Sequence, residues 1–424
     1  MNPTTFTPLM HDVVPLDPRR RALMVAVQLP GVSDEELDET LAELGRLAST
    51  LGLDLVAPAV TQRRDSLAPD AVLGTGKREE LARIADGSQV EVILVDHELS
   101  PSQARNLEKA CGGVEVLDRT AVILEIFRRH ARSRAAKAQV EMVRLKYMAP
   151  RIREQNKGRG DRQRGGIGGK GAGESALELD RRKIRDRIAE LAEELEAIDG
   201  ERKTQRARRQ DVSRAALVGY TNAGKSTLMR ALTGSDVLIA DKLFATLDTT
   251  VRALDPPTRP KILISDTVGF IKKLPHDLVA SFKSTLDEAL EASVLIHVVD
   301  ASDPAHERQL AVTEEVLAEI GAGAVPRILV FKKLYRVSDE VCAVIAARWP
   351  EALRLWDRRE DYVARLRQVL IDRFSADMVE REVHLPWDQQ GRKAEIFELC
   401  QVLDERYVET GVMLRVRAPR GLAL

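Results

Sequence analysis

The residues Gly219-Tyr220-Thr221-Asn222-Ala223-Gly224-Lys225-Ser226 spell GxxxxGKS, between an apolar run from Arg214 to Val218 and a helical pattern that opens at Thr227. Strand, glycine loop and helix in that order make a phosphate cradle. Its backbone N–H groups curl around a β-phosphate, Lys225 reaches the β and γ oxygens, and the Ser226 hydroxyl is a ligand for Mg²⁺. A second segment supplies the acidic partner: Lys261 to Ser265 is an apolar strand that delivers Asp266-Thr267-Val268-Gly269. Asp266 can hold the metal through water. Gly269 offers an N–H that meets a γ-phosphate and lets go after its loss. Between the two lies Phe244-Ala245-Thr246-Leu247-Asp248-Thr249-Thr250, where Thr246, Thr249 and Thr250 each carry a hydroxyl suited to Mg²⁺. After Gly269 comes Phe270, which cannot orient an attacking water. Hydrolysis then depends on another group, either a partner or a monovalent cation such as K⁺, with the Asn222 side chain as a candidate ligand. The alternative role for Asn222 is to bond the loop itself.

The chain that must position these groups has 424 residues, enough for roughly three domains at about 150 residues each. Its 44% hydrophobic and 31% charged residues suit a globular protein and exclude global disorder. Only Cys111, Cys342 and Cys400 occur, far apart, so neither a disulfide framework nor a structural zinc site is expected. A reducing, cytoplasmic setting follows. No apolar run reaches the ~20 residues of a membrane span, and Asp12 and Pro15 stand where a signal peptide would be apolar.

The net charge of −1 conceals an asymmetry. Residues 128 to 170 hold fourteen Lys and Arg against Glu141, Glu154 and Asp161, a local excess of +11. Together with eight glycines between Gly158 and Gly173, this points either to a polyanion contact, nucleic acid or ribosome, or to a solvated linker.

Ahead of that stretch, β-rich runs (Ala22 to Val27, Val90 to Val95, Val114 to Leu117) alternate with helical patterns (Asp34 to Ser49, Ser102 to Cys111), which predicts a small α/β domain with a parallel sheet. Leu73-Gly74-Thr75-Gly76-Lys77 is a weaker candidate for a ligand loop. From Glu174, the positions Leu177, Ile184, Ile188, Leu191, Leu195 and Ile198 form a coiled-coil-like seam. A break at Asp199-Gly200 and a basic helix from Arg202 to Gln210 would complete an antiparallel helical hairpin.

Beyond the nucleotide motifs, the chain resembles the HflX family of ribosome-associated P-loop GTPases, relatives of the Obg proteins, nearly end to end. The resemblance rests on Asp96 to Glu108, Asp118-Arg119-Thr120, Gln139-Val140-Glu141, Tyr147 to Arg151, and Gly165 to Gly168 continuing through Gly173-Glu174 to Asp180-Arg181-Arg182. It implies an N-terminal α/β HflX domain (1–130), a basic Gly-rich stretch with a helical hairpin linker (131–210), a P-loop GTPase domain with a mostly parallel sheet (211–376) and a short C-terminal α/β segment (377–424). It implies as partners the large ribosomal subunit and its RNA, with GTP, GDP and Mg²⁺ as ligands and a monomeric, cytoplasmic protein that splits or rescues ribosomes. It also singles out Phe244 to Asp248 as the first switch and Thr246 as the metal ligand, and makes the basic stretch a ribosomal RNA contact.

Two segments depart from the resemblance. Such GTPases read guanine with Asn-Lys-x-Asp, whereas the strand Arg327 to Phe331 runs into Lys332-Lys333-Leu334-Tyr335, in which only Lys333 matches. A phenol cannot reproduce the two hydrogen bonds of a carboxylate. Where a Ser-Ala is expected after the strand near Ala352 to Leu355, the chain has Trp356-Asp357, and Ser375-Ala376 lies beyond a predicted helix. Three readings follow: purine binding in which Lys333 stacks on the base with Tyr335 or Trp356 beside it, so that ATP also enters; GTP selectivity by another arrangement; or near loss of nucleotide binding. Accordingly, the alternatives to a GTPase switch are a non-enzymatic ribosome-binding scaffold and an RNA-associated ATPase.

Overall fold

The computed structural model describes residues 20–155, 176–207, 212–235, 243–274, 278, 283–356, 361–376 and 378–419. The chain divides into two compact units, residues 1–197 with 275–281, and residues 198–274 with 282–424.

In the first unit the predicted alternation is present: β1 (Arg21–Gln28), α1 (Asp34–Leu51), β2 (Asp54–Leu55), β3 (Val60–Arg63), α2 (Thr75–Gly87), β4 (Val92–Val95), α3 (Pro101–Ala110), β5 (Glu115–Asp118) and α4 (Arg119–His130). The strands form a parallel sheet in the order β2-β1-β4-β5, with β3 also on β1. Parallel strands covered on both faces need apolar residues throughout, and β4 is buried along its whole length. The helices start on local signals: Ser33 caps α1, Ser100 and Gln103 form a capping box on α3, and Asp118 caps α4. Arg119, 2% exposed, is paired with Glu43 and, at 2.9 Å, with Asp96, so α1, α4 and the end of β4 share one buried charge network. Replacing Arg119 itself would leave two buried carboxylates without this cation, a change of the kind that costs about 3–5 kcal/mol.

The Leu73 to Lys77 segment is engaged with its own domain. Gly74 caps α2, its N–H donates to Gln62 Oε1 at 2.9 Å, and Lys77 lies in the first helical turn paired with Glu80.

The hairpin differs from expectation as well. Its arms are α5 (Arg134–Gln155) and α6 (Ala176–Ala207), with Ala138, Met142 and Leu145 packed on Ile184, Ile188, Leu191 and Leu195. Asp199-Gly200 does not break α6, because one interior glycine costs only about 1 kcal/mol and Glu196, Glu201, Arg202 and Lys203 around it favour helix. The basic stretch is helical as far as Gln155, and part of its charge is consumed internally. Arg128 and Arg129 bond Glu125, Arg134 pairs with Glu194, and Arg151 bonds Asp118 and the Leu99 carbonyl. Its Gly-rich part, 156–175, lies outside the described residues.

The second unit holds β6 (Ser213–Gly219), α7 (Lys225–Thr233), β7 (Thr250–Ala253), β8 (Ile262–Asp266), α8 (Lys283–Leu290), β9 (Val294–Asp300), α9 (His306–Glu319), β10 (Arg327–Lys332), α10 (Asp339–Arg348), β11 (Leu353–Arg354) and α11 (Asp361–Ala376). The sheet order is β11-β10-β9-β6-β8-β7, parallel except for the edge strand β7. Leu217, Ile264, Ile296 and Val330 from four strands meet Leu228, Met229, Leu366 and Leu370 from α7 and α11 in one core. Ser375-Ala376 lies within α11 and so forms no base loop. The C-terminal segment is the α/β element expected: β12 (Met378–Pro386), α12 (Lys393–Leu399), β13 (Gln401–Val408) and β14 (Gly411–Pro419) make an antiparallel sheet ordered β12-β14-β13. Within this unit Lys261, just ahead of β8, ties the segment to the parallel sheet through the Glu398 carboxylate at 2.8 Å.

Candidate nucleotide-binding site

The loop between β6 and α7 is shaped by close approach. At Gly219, φ is 145° and a Cβ would lie 2.2 Å from the Val298 carbonyl oxygen of β9, so no side chain fits. Asn222 (φ 61°) and Gly224 (φ 94°) take left-handed conformations that turn the chain into α7. Such turns gather successive N–H groups on one side. The helix N-terminus adds its partial positive charge on the same side.

Lys225 is 6% exposed and donates to the carbonyls of Gly219 (3.0 Å) and Tyr220 (2.9 Å). Burial pulls its pKa down to about 8, against the opposing pull of the Asp266 charge. An arriving phosphate would restore the ammonium form.

Ser226, Thr246 and Asp266 come from three separate segments and converge. Ser226 Oγ lies 2.7 Å from Thr246 Oγ1, and the two hydroxyls donate to Asp266 Oδ2 at 2.8 and 3.0 Å. Asp266 is fully buried at the end of β8, and its Oδ1 has no hydrogen-bond partner among the described residues. Burial raises its carboxyl pKa, while Lys225 and the two hydroxyls work the other way. Two hydroxyls and a carboxylate with an unengaged buried oxygen are the hard donor set that suits Mg²⁺. Of the three threonines, only Thr246 reaches this cluster; Thr250 opens β7, paired with Asp266 through the backbone, and Thr249 precedes it.

The segment after β8 is locked against the loop. Phe270 N–H donates to the Gly219 carbonyl (3.1 Å), and Thr221 N–H donates back to the Phe270 carbonyl (2.8 Å). The Tyr220 hydroxyl accepts from Lys272 N–H at 2.7 Å. Phe270 is 2% exposed, so its ring belongs to the core and leaves the position after Gly269 without a water-orienting side chain. Thr267 and Val268 are buried, with Thr267 Oγ1 donating to the Leu217 carbonyl at 2.7 Å. Phe244 (φ 55°) and Leu247 are buried anchors on either side of Ala245 and Thr246. Asp248, half-buried, follows. Asn222, Gly224, Thr227, Ala245 and Gly269 line the cleft above the loop. Ala223 turns into the core beneath.

The loop after β10 was expected to approach the base. Instead, Lys332 is 1% exposed with Nζ 3.4 Å from the Gly224 carbonyl, and Lys333, at φ 58°, donates to the Asn222 carbonyl (3.0 Å) and Asp300 Oδ2 (2.6 Å). Spacing alone did not reveal the part played by Lys332. A lysine closing an otherwise apolar strand, Arg327 to Lys332, was the available signal. Trp356 packs against the apolar cluster that includes Phe331 and Ile345, and Asp357 lies outside the described residues.

A parallel sheet with a Gly-shaped loop entering a helix, an acidic residue closing the neighbouring strand and a threonine-bearing segment beside both define a P-loop GTPase. Family profiles described as GTP-binding GTPase N-terminal, GTP-binding GTPase Middle Region and 50S ribosome-binding GTPase match residues 38–128, 130–209 and 214–333. The chain is 52% identical to GTPase HflX of Gluconacetobacter diazotrophicus across 94% of this chain and 95% of the relative, and 38% identical to GTPase HflX of Escherichia coli across 93% of each. A solved structure described as SsGBP and GDP complex is similar at TM-score 0.47 and 24% identity, covering 84% of this chain and 98% of that one. The chain belongs to the HflX family of GTPases, and it is a GTP-hydrolysing enzyme. Among the described residues no helix is long and apolar enough to cross a membrane.

Proposed function

We propose that this protein is a cytoplasmic, monomeric GTPase switch that binds the large ribosomal subunit in its GTP form, splits or rescues ribosomes, and is reset by hydrolysis. The convergence of Ser226, Thr246 and Asp266 carries this reading, because it brings side chains from the phosphate loop and two other segments together as a donor set suited to Mg²⁺. Gly219 to Thr227 cradle the phosphates, with Lys225 on the β and γ oxygens. Ser226, Thr246 and, through water, Asp266 would hold Mg²⁺, which when bound offsets charge on those oxygens. Gly269 N–H and Thr246 respond to the γ-phosphate. Their release on its loss is what a partner would sense. Lys333 borders the nucleotide through its hold on the Asn222 carbonyl. The parts divide as residues 1–130, 131–210, 211–376 and 377–424, with the basic stretch of the second part on ribosomal RNA.

With Phe270 buried, turnover of the isolated protein should be slow, and should rise with ribosomal subunits or when K⁺ replaces Na⁺, the Asn222 side chain serving as a ligand for the cation. Cosedimentation with large subunits tests the whole reading: binding is expected with a non-hydrolysable GTP analogue and weaker with GDP. Changing Arg159, Arg162 and Arg164 to Gln should flatten the salt dependence of that binding, because each lost phosphate contact lowers the slope by about one. Arg151 is left out, since it is engaged with Asp118. Equal sedimentation in both nucleotide states would remove the switch, and an unchanged salt slope would remove the RNA contact.

A further inference from the structure

Lys332 stands where Asn-Lys-x-Asp would place its Asn, and that motif assigns no lysine there. It ends β10, pairs in register with Asp300 at the end of β9, and is among the largest fully buried side chains of the described residues. Its side chain runs along Gly224: a Cβ added there would lie 3.3 Å from Nζ, 3.5 Å from Cδ and 3.7 Å from Cε. Nζ reaches the Gly224 carbonyl, one residue before Lys225, while the neighbouring Lys333 holds the Asn222 carbonyl. A loop that turns its N–H groups toward a phosphate turns carbonyls away from it, and these two lysines take two of those carbonyls from behind. Drawing charge from a carbonyl polarises the same peptide group's neighbours and strengthens the donors on the other side. Burial of an ammonium is costly, and an end-of-strand position buys nothing by itself, so the placement favours a task at the loop.

On the base side the chemistry is thin. Tyr335 stands where a carboxylate would accept two hydrogen bonds from guanine, and its ring is instead 5.5 Å from the Arg336 guanidinium. A phenol offers one hydroxyl and no bidentate geometry.

We propose that Lys332 is a positioning and specificity residue that fixes the phosphate loop from behind, so that this enzyme holds GDP and GTP mainly through their phosphates and only weakly through the guanine N1–H and 2-amino edge. The proposal rests on the phosphate-site reading above, and its test separates the two. Binding of GDP, of IDP, which lacks the 2-amino group, and of pyrophosphate is measured by calorimetry on the full chain. GDP and IDP should bind the unaltered protein within 10-fold of each other. Lys332→Met should weaken all three probes by one common factor of about 10, the scale of a lost hydrogen bond to a charged group. Lys332→Arg should keep pyrophosphate affinity, and it decides the question if the methionine variant does not fold. A GDP preference over IDP beyond 10-fold, or pyrophosphate affinity unmoved by Lys332→Met, would overturn the proposal. Should pyrophosphate binding survive Lys225→Ala, the phosphate-site reading itself fails, which is a different result.

Discussion

Gly269→Ala is the perturbation whose size is most directly set by the structure. A Cβ at this position would lie 2.8 Å from Thr221 Cα, 3.0 Å from Thr221 Cγ2 and 2.9 Å from Lys225 Nζ. Ordinary carbon contacts begin near 3.4 Å, so the backbone of Thr221 and that of Gly269 must part by about 0.6 Å. They are not free to do so. The reciprocal bonds between Thr221 and Phe270 (2.8 Å) and between Phe270 and Gly219 (3.1 Å) cross the same gap, and stretching each by that amount takes them to the edge of hydrogen bonding. Losing two such bonds at about 0.5–1.5 kcal/mol each costs about 1–3 kcal/mol, and the displaced Lys225 Nζ adds to the effect on ligand. At 1.4 kcal/mol per decade the loss of GTP affinity should be on the order of 10- to 100-fold. Fluorescent GTP titration and a thermal melt on the same sample measure both halves. If the variant binds GTP within twofold of the parent and melts at the same temperature, the account of how this segment and the phosphate loop are coupled is wrong.

Thr246→Ala removes one of the converging hydroxyls without touching the loop. It should raise the Mg²⁺ concentration needed for GTP-analogue binding about 10-fold while leaving GDP binding in chelator nearly unchanged, and a Mg²⁺ titration with both nucleotides checks this. His297 is 2% exposed on β9, and its Nε2 has no hydrogen-bond partner among the described residues. Burial, then the charges of Arg327 and Lys225, lower its pKa from 6.5 to about 4. The unfolded chain therefore binds the extra proton first as pH falls. Stability is fully present above pH 6.5 and is lost on the way down to about pH 4, by about 3 kcal/mol in all. Urea unfolding across that range should show a shallower acid limb for His297→Gln, and parallel profiles would exclude the histidine as its source.

What could be read from the sequence follows the range of the interactions involved. The loop from Gly219 to Ser226, Asp266 at the end of its strand and the α/β alternation of the first unit are set by local periodicity and turn chemistry, and each appears where its pattern put it. Thr246 could not be told from Thr249 and Thr250 by residue type, because the choice depends on which hydroxyl reaches a strand sixteen or more residues away. The hairpin departs from its sequence pattern for the opposite reason. A local signal, Gly200, was outweighed by the helix formers around it, and α5, the true partner of α6, was hidden within a stretch read for its charge. Lys332 shows the same limit at the site: strand pairing with β9, invisible in the linear chain, is what aims it at Gly224.

The edge strand β7 sets the length of a leash. Thr250, its first residue, is fixed opposite Asp266, and Thr246 lies four residues upstream. Were its hydroxyl to let go of Ser226 and Asp266, as the proposed switch requires, Thr246 could travel no farther than about 14 Å from that anchor, at 3.3–3.6 Å per residue. Confinement on that scale keeps the hydroxyl at an effective concentration of millimolar or above at the site it has left. Recapture after exchange of nucleotide is then a local search, whose speed should be insensitive to protein concentration and sensitive to residues inserted between Thr246 and Thr250.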